Sequence, residues 1–189
     1  MFEKIINEAT GAISAAIKGT GDIASAITGT VKDQVIGVIK GSGEVVGSTV
    51  EAVASVATGS MKAVGDVGSS IADTVTSTMS GAVTGAASVG GSVMEAVFGV
   101  AKGVVKGAAE TGGDIGIAAV AAVEGAIKSA GDVGEDVAEA AKSAVGGAMH
   151  AATAVGGDAV STVRNALLSS AALPRDVIES AVKGSENSK

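Results

Sequence analysis

The side chains able to do chemistry in this chain are few, and they recur at one interval. His150 is the only histidine, and there is no cysteine, tryptophan or tyrosine. An imidazole can serve as a base or a metal ligand, but a lone one has no second ligand and no orienting partner. Asp and Glu number 20, yet they are spread along the chain rather than gathered as an acid and base pair. No glycine cluster has the spacing of a phosphate-binding loop. These residues predict a non-enzymatic protein with no metal and no cofactor, in which His150 is solvated and the acids form a surface stripe.

The interval itself is the stronger signal. Lys18, Lys40, Lys62, Lys106 and Lys128 stand on a 22-residue grid, with Thr84 and His150 in the two vacant places. Four residues later the grid carries Asp22, Glu44, Asp66, Ser88, Glu110 and Asp132. A glycine keeps the same period at Gly37, Gly59, Gly81, Gly103, Gly125 and Gly147. The chain therefore divides into an amphipathic lead-in at 1–17, seven repeats at 18–171, and a C-terminal piece at 172–189. In that last piece Pro174 is expected to open a short helix, and SENSK is read as a tail. A repetitive chain of this kind makes extended surfaces rather than pockets.

The elements that carry the grid follow from the apolar residues within each repeat. Ile23, Ile27, Val31, Val35 and Ile39 are four apart, as are Val67, Ile71, Val75, Met79 and Val83. Val93, Val97, Ile115 and Val137 continue the pattern. Twenty-two residues then hold six turns, about 3.67 residues per turn, the hendecad value. The apolar phase crosses repeat boundaries without a slip, so the expected fold is all-α, one long amphipathic helix or a few long helical segments. A stack of short antiparallel helices is the alternative, with Lys40 closing one helix, Gly41 behind it and Glu44 opening the next. A β-solenoid is disfavoured by abundant Ala and by steps of four where strands need two.

On a helical wheel the Val, Ile and Met arc faces lipid or a partner helix, Lys and acids lie opposite, and Gly and Ala fill the flank. The glycine grid suits close helix packing, because small residues let backbones approach. Along the charged arc, 11-residue steps read Lys40, Glu51, Lys62, Asp73, Thr84, Glu95, Lys106, Ile117, Lys128 and Glu139, alternating in sign wherever a charge is present, which suggests a charge ladder between two helices shifted by that step. Helix propensity alone does not support such a glycine-rich helix, since each Gly costs about 1 kcal/mol relative to Ala. Folding must be coupled to burial of the apolar arc.

Composition narrows the partners. The formal charge is −7, the mean hydropathy is +0.49, and there are 2 Phe among 189 residues. No basic cluster offers a nucleic-acid site. Glu3 and Glu8 stand where a secretory signal would need an unbroken apolar run. Residues 74–94 are uncharged, but their Ser and Thr make a poor membrane span.

The tandem 11- and 22-residue amphipathic pattern over 18–171 resembles the lipid-surface repeats of apolipoproteins, perilipins and synucleins. That resemblance implies a protein lying along a membrane or lipid surface. The expected function is a structural coat, cytoplasmic and peripheral on a membrane, with lateral self-assembly into a homo-oligomer or polymer. A lipid-independent helical filament or tube is the alternative, and a glycine-packed pore a minor one.

Overall fold

The 22-residue interval is realised as a helix and a tight turn. The computed structural model describes residues 2–20, 22–42, 46–65 and 70–186. Among these the chain is all-α, with α1 (Phe2–Thr20), α2 (Ile23–Ser42), α3 (Val46–Gly65), α4 (Ile71–Ser88), α5 (Val93–Thr111), α6 (Ile115–Val133), α7 (Val137–Val155), α8 (Ala159–Ser169) and α9 (Arg175–Glu186). The first residues of α4 to α8 fall at 71, 93, 115, 137 and 159, each 22 after the last.

In the turns between α4 and α8 two grid positions recur, a glycine and, two residues on, a polar residue before the next helix. Gly90, Gly112, Gly134 and Gly156 have φ of 69°, 71°, 80° and 81°, a left-handed backbone that costs other residues roughly 1–2 kcal/mol. The residue after the first three of these glycines closes the preceding helix: Gly91, Gly113 and Glu135 donate their N–H to Ala86, Ala108 and Ala130, the bond that satisfies a terminal carbonyl. The next residue opens the following helix. Ser92 Oγ accepts from Glu95 N, Asp114 Oδ1 from Gly116 N and Ile117 N, and Asp136 Oδ1 from Ala138 N and Glu139 N. These acceptors satisfy orphan amides of the first turn. Asp158 holds the same place before α8 without such a bond.

The long or continuous helix expected from the sequence is thus corrected. A helix of 18–20 residues plus a short turn has the same period as six unbroken turns, so the apolar phase is blind to the break. The fold is the stack of short helices, although its turns do not all fall where Lys40, Gly41 and Glu44 suggested. Thr84 and Lys106 lie inside α4 and α5. Residues 43–45 lie outside the described residues.

The helices form two rows. Odd-numbered helices pack in sequence as α1, α3, α5, α7 and α9, and even-numbered ones as α2, α4, α6 and α8. Among the described residues each helix touches only its next and next-but-one neighbours, the one-dimensional arrangement of a solenoid. Within a row the helices run parallel. Gly99, Gly103 and Gly107 of α5 meet Val50, Ala54 and Met61 of α3 in rising order, and Gly81 and Gly85 of α4 meet Thr28 and Lys32 of α2. The short turns then make consecutive helices antiparallel across the rows.

The apolar arc fills the space between rows. Ile27, Val31, Val35, Val75, Met79, Val83, Val93 and Val97 are buried, and Ile23, Ile39, Ile71 and Ile115 pack against them partly covered. Their burial, at roughly 1.5–3 kcal/mol for each fully enclosed large side chain, outweighs the glycine penalty. Pro174 accepts from Val177 N and Ile178 N at the start of α9, which runs two residues into the expected tail.

Candidate functional surface

The apolar arc expected to face lipid or a partner helix packs against other helices of this chain. Of its described members only Val137 is well exposed, at 43 %. Val67 lies outside the described residues. The remaining named members face other helices of the same chain, so in this fold they present no apolar stripe to a bilayer.

The glycine grid forms the joints within each row. A Cβ built on Gly59 would stand 2.8 Å from the Ile6 carbonyl oxygen, and one on Gly81 would stand 2.5 Å from that of Thr28. At Gly103 and Gly147 it would run into the Ala54 and Phe98 carbonyl oxygens, and at Gly125 it would meet Met79 Cβ at 3.2 Å. In each case the helix met is the one two places earlier. Gly37, the first of the grid, meets nothing within 4 Å.

Hydroxyls fasten the same joints. Thr10 Oγ1 donates to the Gly59 carbonyl at 3.2 Å, Thr28 Oγ1 to Ser77 at 3.2 Å, Thr58 Oγ1 to Gly103 at 3.0 Å, and Ser143 Oγ to Met94 at 2.7 Å. The sequence reading overlooked these residues, whose signal is a Ser or Thr among small residues on the buried flank. Thr10 and Thr58 also donate to the Ile6 and Ala54 carbonyls one turn earlier in their own helices, so each of these hydroxyls is shared between its own helix and the row neighbour.

The charged ladder is rearranged. Lys62 Nζ pairs with Glu110 at 2.8 Å, Glu51 pairs with Lys102, and Lys106 approaches Glu110 at 3.8 Å one helical turn away. These pairs join α3 to α5 or lie within α5. Lys102 and Glu110 are not on the 11-residue line, and the ladder between shifted long helices is corrected because none of the described helices is long enough to carry it. The remaining members serve locally. Asp73, Glu95 and Glu139 donate backbone N–H groups to Ser70, Ser92 and Asp136 at helix starts, while Lys40 and Lys128 are exposed.

The cap carboxylates carry the resolved electrostatic shifts. The Glu139 and then the Ala138 amides hold the Asp136 carboxyl below the ordinary carboxylate value, against a small opposing effect of burial and with help from Lys142. At the start of α2 the Ser25 amide and hydroxyl do the same for Asp22. Both are the expected result of hydrogen bonds to an anion.

His150 is exposed on α7, its ring 6.0 Å from that of Phe98 in an edge arrangement at 64°. Beside it a shallow groove of about 320 Å³ runs between α5 and α7, lined by Lys102, Lys106, Ala109, Glu110, Ala151 and Val155. Its lysines and glutamate belong to the pairs already described. Among the described residues no group of three His, Cys, Asp or Glu is placed to hold a metal ion, and no helix is long and apolar enough to cross a membrane. Compared with known proteins, the chain matches no family model and none of the curated proteins.

Proposed function

We propose that this chain is a non-enzymatic structural protein, a helical stack that folds without lipid and acts through its extended surfaces as a building element. One observation carries the reading: most of the described apolar arc is covered inside the chain, with Ile27, Val31, Val35, Val75, Met79, Val83 and Val97 each at most 1 % exposed. A coat that relied on lipid to cover this arc would leave it open in the free protein. Far-ultraviolet circular dichroism in buffer tests the reading. Strong helical signal that is unchanged by neutral or anionic vesicles is the expected result. A coil spectrum converted to helix by vesicles would refute it.

A second reading keeps the peripheral lipid coat to which the repeat's resemblance points. It is favoured by the N-terminal end of the stack, where α1 and α2 have row neighbours on one side only and Phe2 is 40 % exposed. In this reading α1 and α2 open on a membrane and lay Ile6, Ile13, Ile17, Ile27 and Val31 into its interface, giving a cytoplasmic, peripheral protein. Flotation with vesicles that is lost when Ile13 and Ile27 become Ser would support it. The glycine-packed pore receives no support, since none of the described helices is long and apolar enough to span a bilayer.

A further inference from the structure

We propose that the groove between α5 and α7 is a binding site for a short aliphatic carboxylate, whose acid group pairs with Lys106 at a joint where the repeat has lost an acid of its own. The proposal takes the chain as a folded stack and does not depend on whether that stack also meets lipid. It begins from a comparison of joints in the odd row. Between α3 and α5, Lys62 Nζ meets Glu110 at 2.8 Å and bridges the joint with an ion pair. One joint earlier the same two grid places carry Lys18 and Asp66 in the sequence, and one joint later they carry Lys106 and Ala154. The acid place reads Asp22, Glu44, Asp66, Ser88, Glu110 and Asp132 before Ala154. At the α5–α7 joint the lysine is kept and its partner across the joint is an alanine.

Lys106 is left with a weaker contact. Among the described residues the acid it approaches is Glu110, one turn along its own helix at 3.8 Å, and that carboxylate is held more closely by Lys62. The Lys106 side chain is 52 % exposed, and an exposed pair of this kind contributes little. Lys106 can therefore turn to a second anion without giving up a strong bond. Lys102, in the same groove, is not available in this way, because its side chain is 15 % exposed and pairs with Glu51 of α3. The ligand needs one anionic group and no more.

The alanine leaves room as well as charge. The groove holds about 320 Å³, and beyond its charged residues it is lined by Ala109, Ala151, Ala154 and Val155. None of these four side chains can hydrogen-bond, so what lies on them gains by removing apolar area from water. Val155, at 44 % exposed, carries the apolar floor out to the mouth. From Lys102 to Ala109 the groove follows about 10 Å of helix, the span of roughly eight extended bonds. That length fits a single short alkyl chain, and a second acid at its far end would be set against apolar residues. The groove lies inside the row: α3 packs on α5 to one side of it and α9 packs on α7 to the other.

Titration of the full chain with sodium octanoate, followed by calorimetry and by backbone amide shifts in nuclear magnetic resonance, tests the proposal. One molecule should bind with a dissociation constant below about 1 mM and shift the amides of Lys106, Ala151 and Val155. Lys106→Gln should weaken binding about threefold to fivefold, the scale of one exposed ion pair, and octanol should bind more weakly than octanoate by a similar factor. Ala154→Glu writes the lost acid back, and should weaken octanoate binding at least about tenfold while the circular dichroism stays helical. Absence of saturable binding, shifts confined to other helices, octanol binding as tightly as octanoate, or unchanged affinity in Lys106→Gln or Ala154→Glu overturns the site and leaves the stack standing. A chain without helix in buffer overturns both the stack and the site.

Discussion

The same residue does opposite work in two regions of the molecule. In the middle of the stack, glycines of α3 to α7 are spaces into which another helix fits, and a single methyl group at Gly103 would collide with the Ala54 carbonyl. At the N-terminal end, glycines of α1 and α2 look onto open space, where they retain only the conformational cost of glycine in a helix. A repeat uniform in sequence is therefore not uniform in energy. The value of each glycine is set by whether another helix occupies the seat.

The sharpest way to break this comparison is to fill a seat. Gly103→Ala gains about 1 kcal/mol of helix propensity but drives its Cβ into backbone, which cannot move without separating α3 from α5. A net loss of about 2–3 kcal/mol, the scale of overpacked cores, is expected as a lower urea midpoint, and Gly147→Ala should behave alike against Phe98. Unchanged midpoints would mean that the rows are looser than these contacts imply.

Next in size are the turns. Asp114 accepts from two amides, while Asp158, on the same grid position, caps nothing with its side chain. Asp114→Ala should cost about 1 kcal/mol, whereas Asp158→Ala should stay within about 0.5 kcal/mol of wild type. Equal losses would show that the acids act through something other than capping. At the open end the sign reverses. Gly29→Ala meets no neighbour within 4 Å, so it should raise stability by about 0.5–1 kcal/mol.

What was legible in the sequence divides along the same physical line. The 3.6-residue periodicity of Ile23, Ile27, Val31 and Val35 identified helix and the arc that is buried, because burial of one face leaves a pattern in each helix by itself. The constant position of Gly59, Gly81, Gly103, Gly125 and Gly147 likewise pointed to small residues at one place on every helix. What the arc packs against was not legible, since lipid, another chain and a neighbouring helix all accept the same residues. The break points were misjudged because helix plus turn equals six turns in length. A signal was nevertheless present: Gly-x-Ser or Gly-x-Asp recurs at 90–92, 112–114, 134–136 and 156–158, and in the first three it pairs a positive-φ glycine with a helix cap. The hydroxyl joints of Thr58 and Ser143 depend on which helix lies beside which, and no single repeat contains that information.

The smallest expected effect concerns the acid limb of stability. Amides of the first turn of α7 hold the Asp136 carboxyl below its ordinary value, so the folded state binds that proton less readily than the unfolded chain does. By linkage, the contribution of Asp136 is fully present above the ordinary carboxylate value and is lost as pH falls through the lowered folded value. Asp136→Asn keeps an oxygen that can accept from Ala138 N and Glu139 N but does not titrate. The two proteins should therefore have similar urea midpoints near neutral pH, and wild type alone should lose the Asp136 contribution below the ordinary carboxylate value. Parallel acid limbs would show that the α7 cap is held by geometry and not by charge, and would make Ser92 and Asp136 equivalent as helix starts.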